Sequence, residues 1–144
     1  MASVKNYTSS KSPEESASKI QAVLAKYGAL NISIEHEDEA PTAINFQFPI
    51  NKKLFWFRLE PDIDGVEKVL IEARDVEPDY KNWEQACRTA WKNKLEWIQA
   101  QLTQVSTNQA KLGKLLLGYG ISSNGETIYR RLCRDHSLFK SPRS

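Results

Sequence analysis

Histidine and cysteine are each used twice in 144 residues, and methionine once. So few imidazoles leave almost no room for a histidine-built metal site. Cys87 and Cys133 lie far apart in helix-like stretches, in neither a CxxC nor a CxH spacing, and are expected to be free thiols in a reducing compartment. Glycine and proline, six each, are too few for a collagen-like or low-complexity chain, and 10% aromatics within 40% hydrophobic residues exclude a wholly disordered one. No run approaches the roughly 20 apolar residues of a membrane span, and mean hydropathy is -0.55. The start, Met1 to Asn6, lacks the apolar stretch of an export signal, so the expectation is a cytoplasmic protein with no membrane partner.

What is there reads as one α+β domain. Residues 1–12, polar and serine-rich, read as a flexible N-terminal arm or a lead-in strand. Residues 13–134 form the domain, and residues 135–144 a basic C-terminal tail. Ser12, Pro13, Glu14 and Glu15 start a helix, and Ala17, Ile20, Val23, Leu24 and Tyr27 give it an apolar stripe ending at Gly28. Alternation then predicts a three-stranded antiparallel meander over Leu30–Ile34, Ile44–Phe48 and Leu54–Leu59, joined by the acidic loop 36–41 and the turn 49–53. A short helix carrying Val66, Val69, Leu70 and Ala73 follows. A long helix from about Asp79 to Val105, packed on the sheet, carries Trp83, Ala86, Ala90, Trp91, Leu95, Ile98, Leu102 and Val105 on its apolar face. Glu84/Arg88 and Lys92/Glu96 are spaced as ion pairs along it. A helical C-terminal segment closes the chain.

Most catalytic patterns are missing: there is no GxSxG, no HExxH and no paired histidine. Gly120 to Thr127 has the glycine spacing of a phosphate loop, but Glu126 stands where lysine is needed, and Asn124-Gly125 reads better as a tight turn. Asp62-x-Asp64-Gly65 reads as a helix cap rather than half a calcium loop, and Glu35 to Glu39 around His36 as a solvated hairpin. A hydrolase built on Glu72, Asp75, Glu77 and Asp79 competes with the plainer role of those carboxylates at a helix junction. His136 lies among arginines, where it suits anion contact. The expectation is a non-enzyme without metal or cofactor.

Charge is unevenly distributed. Residues 1–80 hold nine Lys and Arg against fourteen Asp and Glu, whereas residues 81–144 hold eleven against four. Such a split points to an anionic partner for the rear of the chain, or to head-to-tail self-association. Two surfaces follow. If Ile32, Phe46, Phe55 and Phe57 face the core, then Asn31, Ser33, Asn45, Gln47, Lys52, Trp56 and Arg58 share the opposite sheet face, where a ring can stack bases and cations can hold phosphates. The competing role for Trp56 is packing under a helix or an oligomer partner. The second surface is the cluster Lys111, Lys114, Arg130, Arg131, Arg134, Lys140 and Arg143, set against only Glu126 and Asp135. Trp83, Trp91 and Trp97 cannot all point one way on a single helix, so one of them is a candidate partner contact.

Spaced matches run through most of the chain: Asn6-Tyr7-Thr8, Ile20 to Ala29, Phe57-Arg58-Leu59, Arg88 to Trp91, Trp97 to Leu102, Leu115-Leu116, Tyr119 and Gly125 to Tyr129. In these the chain resembles a group of uncharacterised small proteins of phages and bacterial mobile elements. The resemblance implies a phage or plasmid accessory protein of mixed helix and sheet, and transfers no catalytic residue. The functional expectation is a non-enzymatic nucleic-acid-binding accessory. Its alternative is a protein-binding module, such as a host-takeover or anti-defence inhibitor or a small subunit of a larger assembly, recognising an acidic protein surface.

Overall fold

The computed structural model describes residues 4–108 and 111–135. Helix α1 (Pro13–Lys26) begins where the Ser12 hydroxyl accepts from the Glu15 amide at 3.0 Å, with Pro13 in the first turn, and it buries Ala17, Ile20 and Leu24. Strands β1 (Leu30–Glu37), β2 (Ala40–Ile50) and β3 (Lys53–Leu59) follow as an antiparallel sheet in the order β1-β2-β3. Both connections are two-residue turns, Asp38-Glu39 and Asn51-Lys52, with positive φ at all four residues. That is the turn geometry whose twist matches the strands it joins. The strands therefore run further into the acidic loop and the 49–53 turn than alternation alone predicts.

In register, Phe46 faces Phe57 with rings stacked 5.5 Å apart, and together with Ile44 and Leu59 they form the inner face of the sheet. Helix α2 (Ile63–Glu72) is capped by Asp62, whose carboxylate accepts from the Gly65 amide at 3.0 Å, the cap role expected for it. A short 3-10 turn (Pro78–Tyr80) precedes the long helix α3 (Trp83–Ser106), which starts four residues later than its stripe suggests because Asn82 accepts from the Gln85 amide. α3 packs with α1 and α2 against the sheet, and the wholly buried Trp91 donates its indole N–H to the Pro41 carbonyl at 3.0 Å. The chain is thus α+β, with helices on one sheet face.

The C-terminal segment is built of α4 (Leu112–Leu115), a 3-10 turn (Leu117–Tyr119) and α5 (Ile128–Arg134). Gly113 lets α4 seat against Ile50, since a Cβ there would fall 2.8 Å from Ile50 Cδ1. Gly120 and Ile121 bridge to the edge of β3, the Ile121 amide donating to the Trp56 carbonyl at 2.8 Å. The chain then turns at Gly125, at φ +88°, and Thr127 caps α5 by accepting from the Arg130 amide. Tyr119 packs on Trp97 with ring centres 5.3 Å apart, and the Lys94 ammonium lies 4.9 Å from Trp97 and 5.5 Å from Tyr119. These rings and the cation tie the segment to α3. Burial lowers the pKa of Lys94.

Several expectations are corrected by packing. Residues 4–9 are neither a free arm nor a strand. Val4 and Tyr7 pack on the core, and the carbonyls of Lys5, Asn6, Tyr7 and Ser9 accept from Asn93, Thr89 and Gln85 of α3. Gln85, Thr89, Asn93 and Glu96 form one polar stripe along α3, and the segment lies on it. Arg88 donates to Gln85 instead of pairing with Glu84, and Glu96 meets Lys5 rather than Lys92. Trp83, placed in the apolar stripe, is exposed, as is Val69 of α2. Phe55 opposes Phe48 near the end of the sheet and is likewise exposed.

Candidate functional site

The sheet face away from the helices carries Ser33, Asn45, Gln47, Trp56 and Arg58 by strand parity, and Asn31, in the β1 bulge at φ +52°, joins it by donating to Gln47. Trp56 is 44% exposed, and none of the described helices covers it. Lys52 belongs to the β2–β3 turn and not to this face, because its positive φ ends the alternation. Beside Trp56 lies a shallow depression of about 400 Å³ lined by Ser33, Asn45, Trp56, Arg58, Ile121 and Gly125. It adjoins a larger cleft of about 800 Å³ between the end of β3 and α5, where Arg58, Glu60, Asp62, Glu126, Tyr129 and Arg130 are among the lining residues.

Arg58 is not the open phosphate ligand the sequence implies. Its guanidinium donates to Glu35 and lies 3.4 Å from Glu60, while Asn45 also donates to Glu35. The Asn45 amide and then the Arg58 guanidinium hold the Glu35 carboxyl below the usual carboxylate range. Arg134 is engaged in the same way by Glu126, whose pKa is lowered by Asn124 and by Arg134. Both arginines are neutralised by carboxylates that folding brings to them. The cleft, with Glu60, Asp62 and Glu126 facing Arg58 and Arg130, is mixed in sign.

The other cations separate into two groups. Arg130 and Arg131 stand on α5, and among the described residues neither has an ion-pair partner. Lys111 and Lys114 flank Gly113 where α4 meets Ile50, at the far end of the sheet. Lys52 and Lys53 occupy the β2–β3 turn at that same end. Lys26 joins them from the last turn of α1, two residues before Gly28, whose Cα faces Phe48. None of these five lysines makes an ion pair among the described residues. Part of the reason is visible in the chain: the sequence windows that carry these lysines, residues 16–34, 40–59 and 97–125, contain no aspartate or glutamate. Acidic residues concentrate at the opposite end of β2, where Glu37, Asp38 and Glu39 form the hairpin tip and His36 contacts Glu14.

Lys26 and Lys53 were missed because charge summed over halves of the chain hides them; the three acid-free windows are the signal that finds them. Lys140 and Arg143, with His136, lie outside the described residues. Cys87 is buried and Cys133 exposed, and they are not joined. Glu72, Asp75, Glu77 and Asp79 are all exposed around the α2–α3 junction. Among the described residues no three His, Cys, Asp or Glu side chains converge as a metal site requires, and no helix is long and apolar enough to cross a membrane. No protein-family model, curated protein or solved structure matches this chain.

Proposed function

We propose that the protein is a non-enzymatic nucleic-acid-binding accessory, of the phage or mobile-element kind its sequence resembles, and that it grips phosphates with its lysine end. One observation carries this: Lys26, Lys52, Lys53, Lys111 and Lys114 come from three separate segments to one end of the sheet, and among the described residues none of them meets a carboxylate. Five ammonium groups without an ion-pair partner among the described residues form a potential that counter-ions occupy in the free protein. A polyphosphate backbone releases those ions and gains affinity from their entropy. The acidic hairpin at the other end of β2 is repelled by the same backbone, so the molecule approaches lysine end first. Arg58 and Arg134 drop out of the binding set because Glu35, Glu60 and Glu126 already occupy them.

Fluorescence anisotropy at low salt, with short single- and double-stranded oligonucleotides, tests the reading. Wild-type protein is expected to bind at micromolar concentration, and the variant with Lys52, Lys53, Lys111 and Lys114 all changed to Gln to lose most of that binding while keeping its melting temperature. Absence of binding, or equal binding by the variant, overturns it. So does co-sedimentation with anionic lipid vesicles in preference to oligonucleotide.

A second reading, a protein-binding module, is favoured by the exposed Leu54, Phe55 and Leu117, apolar side chains for which a folded domain gains nothing in water. A stoichiometric protein captured from host lysate after nuclease treatment, and lost in a Leu54→Ser/Phe55→Ser variant, supports that reading instead.

A further inference from the structure

Resting on the nucleic-acid reading, we infer that the ligand is a single strand and that one unstacked base lies in the depression beside Trp56. Lysines alone do not discriminate duplex from single strand, since phosphates are common to both. The depression does. Its wall is the open ring of Trp56, held by the sheet through pairing with Gln47 and by the hydrogen bond from the Ile121 amide to the Trp56 carbonyl at 2.8 Å. Ile121 supplies the facing apolar surface, and at Gly125 nothing lies within 4 Å of where a Cβ would be, so the mouth is clear.

Polar groups on the floor match a base edge. The Ser33 hydroxyl has no hydrogen-bond partner among the described residues, and the Asn45 amide is only partly engaged by Glu35 and Arg58. Because Glu35 and Glu60 together outweigh the charge of Arg58, the floor offers no net positive charge to a phosphate. It suits a base and not a phosphate. The lysine end takes the phosphates: Lys53 lies three residues before Trp56, about 10 Å along an extended strand, but on the opposite parity, so the bound strand rounds the β2–β3 end to reach the face of Trp56, where the exposed Leu54 also lies. A stacked duplex presents no base face to such a ring, whereas an unpaired strand does. The two surfaces therefore divide the work, with lysines giving affinity and Trp56 giving preference for unpaired strands.

The test is a Trp56→Leu variant compared with wild type on matched single-stranded and duplex oligonucleotides, with Trp56→Phe as the conservative control. Trp56 is half open to solvent, so the leucine variant is expected to fold, and its melting curve checks that. Single-strand affinity should fall about tenfold in Trp56→Leu and recover largely in Trp56→Phe, with duplex affinity unchanged. Equal weakening on both ligands, no weakening on either, or a wild-type preference for duplex overturns the inference. These outcomes differ from failure of the lysine reading, in which wild-type protein binds neither ligand.

Discussion

Replacing Gln85 by leucine should detach the N-terminal segment from α3 with little change in volume. Gln85 is 3% exposed, and its amide nitrogen donates to the carbonyls of Tyr7 at 2.7 Å and Ser9 at 3.1 Å. Its side-chain oxygen accepts from Arg88 at 3.0 and 2.7 Å. Leucine keeps the packing but leaves two backbone carbonyls and one guanidinium without partners. A part-buried carbonyl stripped of its donor costs about 1 kcal/mol or more. Arg88 recovers by turning to Glu84 one turn back or to water, so its loss adds little. The sum is about 2–3 kcal/mol out of a total stability of about 5–15 kcal/mol. The assay is urea unfolding of wild type, Gln85→Leu, a chain starting at Ser10, and the combination of the two changes. In the truncated background Gln85→Leu should cost little further, because the carbonyls it serves are gone. A loss below about 0.5 kcal/mol in the full chain, or full additivity with the truncation, refutes the reasoning that residues 4–9 are a strap.

Lys52 has φ +68° in a turn whose second position favours glycine, so Lys52→Gly should stabilise the fold by up to about 1 kcal/mol while weakening oligonucleotide binding; thermal melts and anisotropy read the two effects separately. Glu35 titrates below its ordinary range when folded, so its pairing stabilises the protein above the pKa of the unfolded carboxyl and is lost as pH falls toward the folded value. Unfolding curves across the acid range should show Glu35→Gln shedding that part of the acid sensitivity. The effect stays under about 1 kcal/mol because solvent screens the pair, and an unchanged acid limb would contradict the assignment.

The elements legible in the sequence are those governed by local chemistry. Ser12-Pro13, Asp62 and Asn124-Gly125 act as cap, cap and turn because each serves an amide or a dihedral within three residues of itself. The strands showed their alternation for the same reason. What stayed hidden depends on partners remote in sequence. The carbonyls of Lys5, Asn6, Tyr7 and Ser9 find donors more than 75 residues away on α3, and a polar N-terminus gives no local hint of them. Arg58 looks available until the sheet register sets it beside Glu35, 23 residues earlier. Lysines at 26, 52, 53, 111 and 114 become one group only after α4 seats on Ile50 and α1 ends beside Phe48.

The salt dependence of binding to a short single-stranded oligonucleotide tests the lysine end most directly. If all five lysines displace counter-ions, log affinity should fall with log salt at a slope of about -3.5, roughly a hundredfold loss between about 50 and 200 mM. Changing Lys52 and Lys53 to Gln should flatten the slope to about -2. A slope near zero, or one unaltered by those two substitutions and flattened instead by Arg130→Gln with Arg131→Gln, would contradict the account.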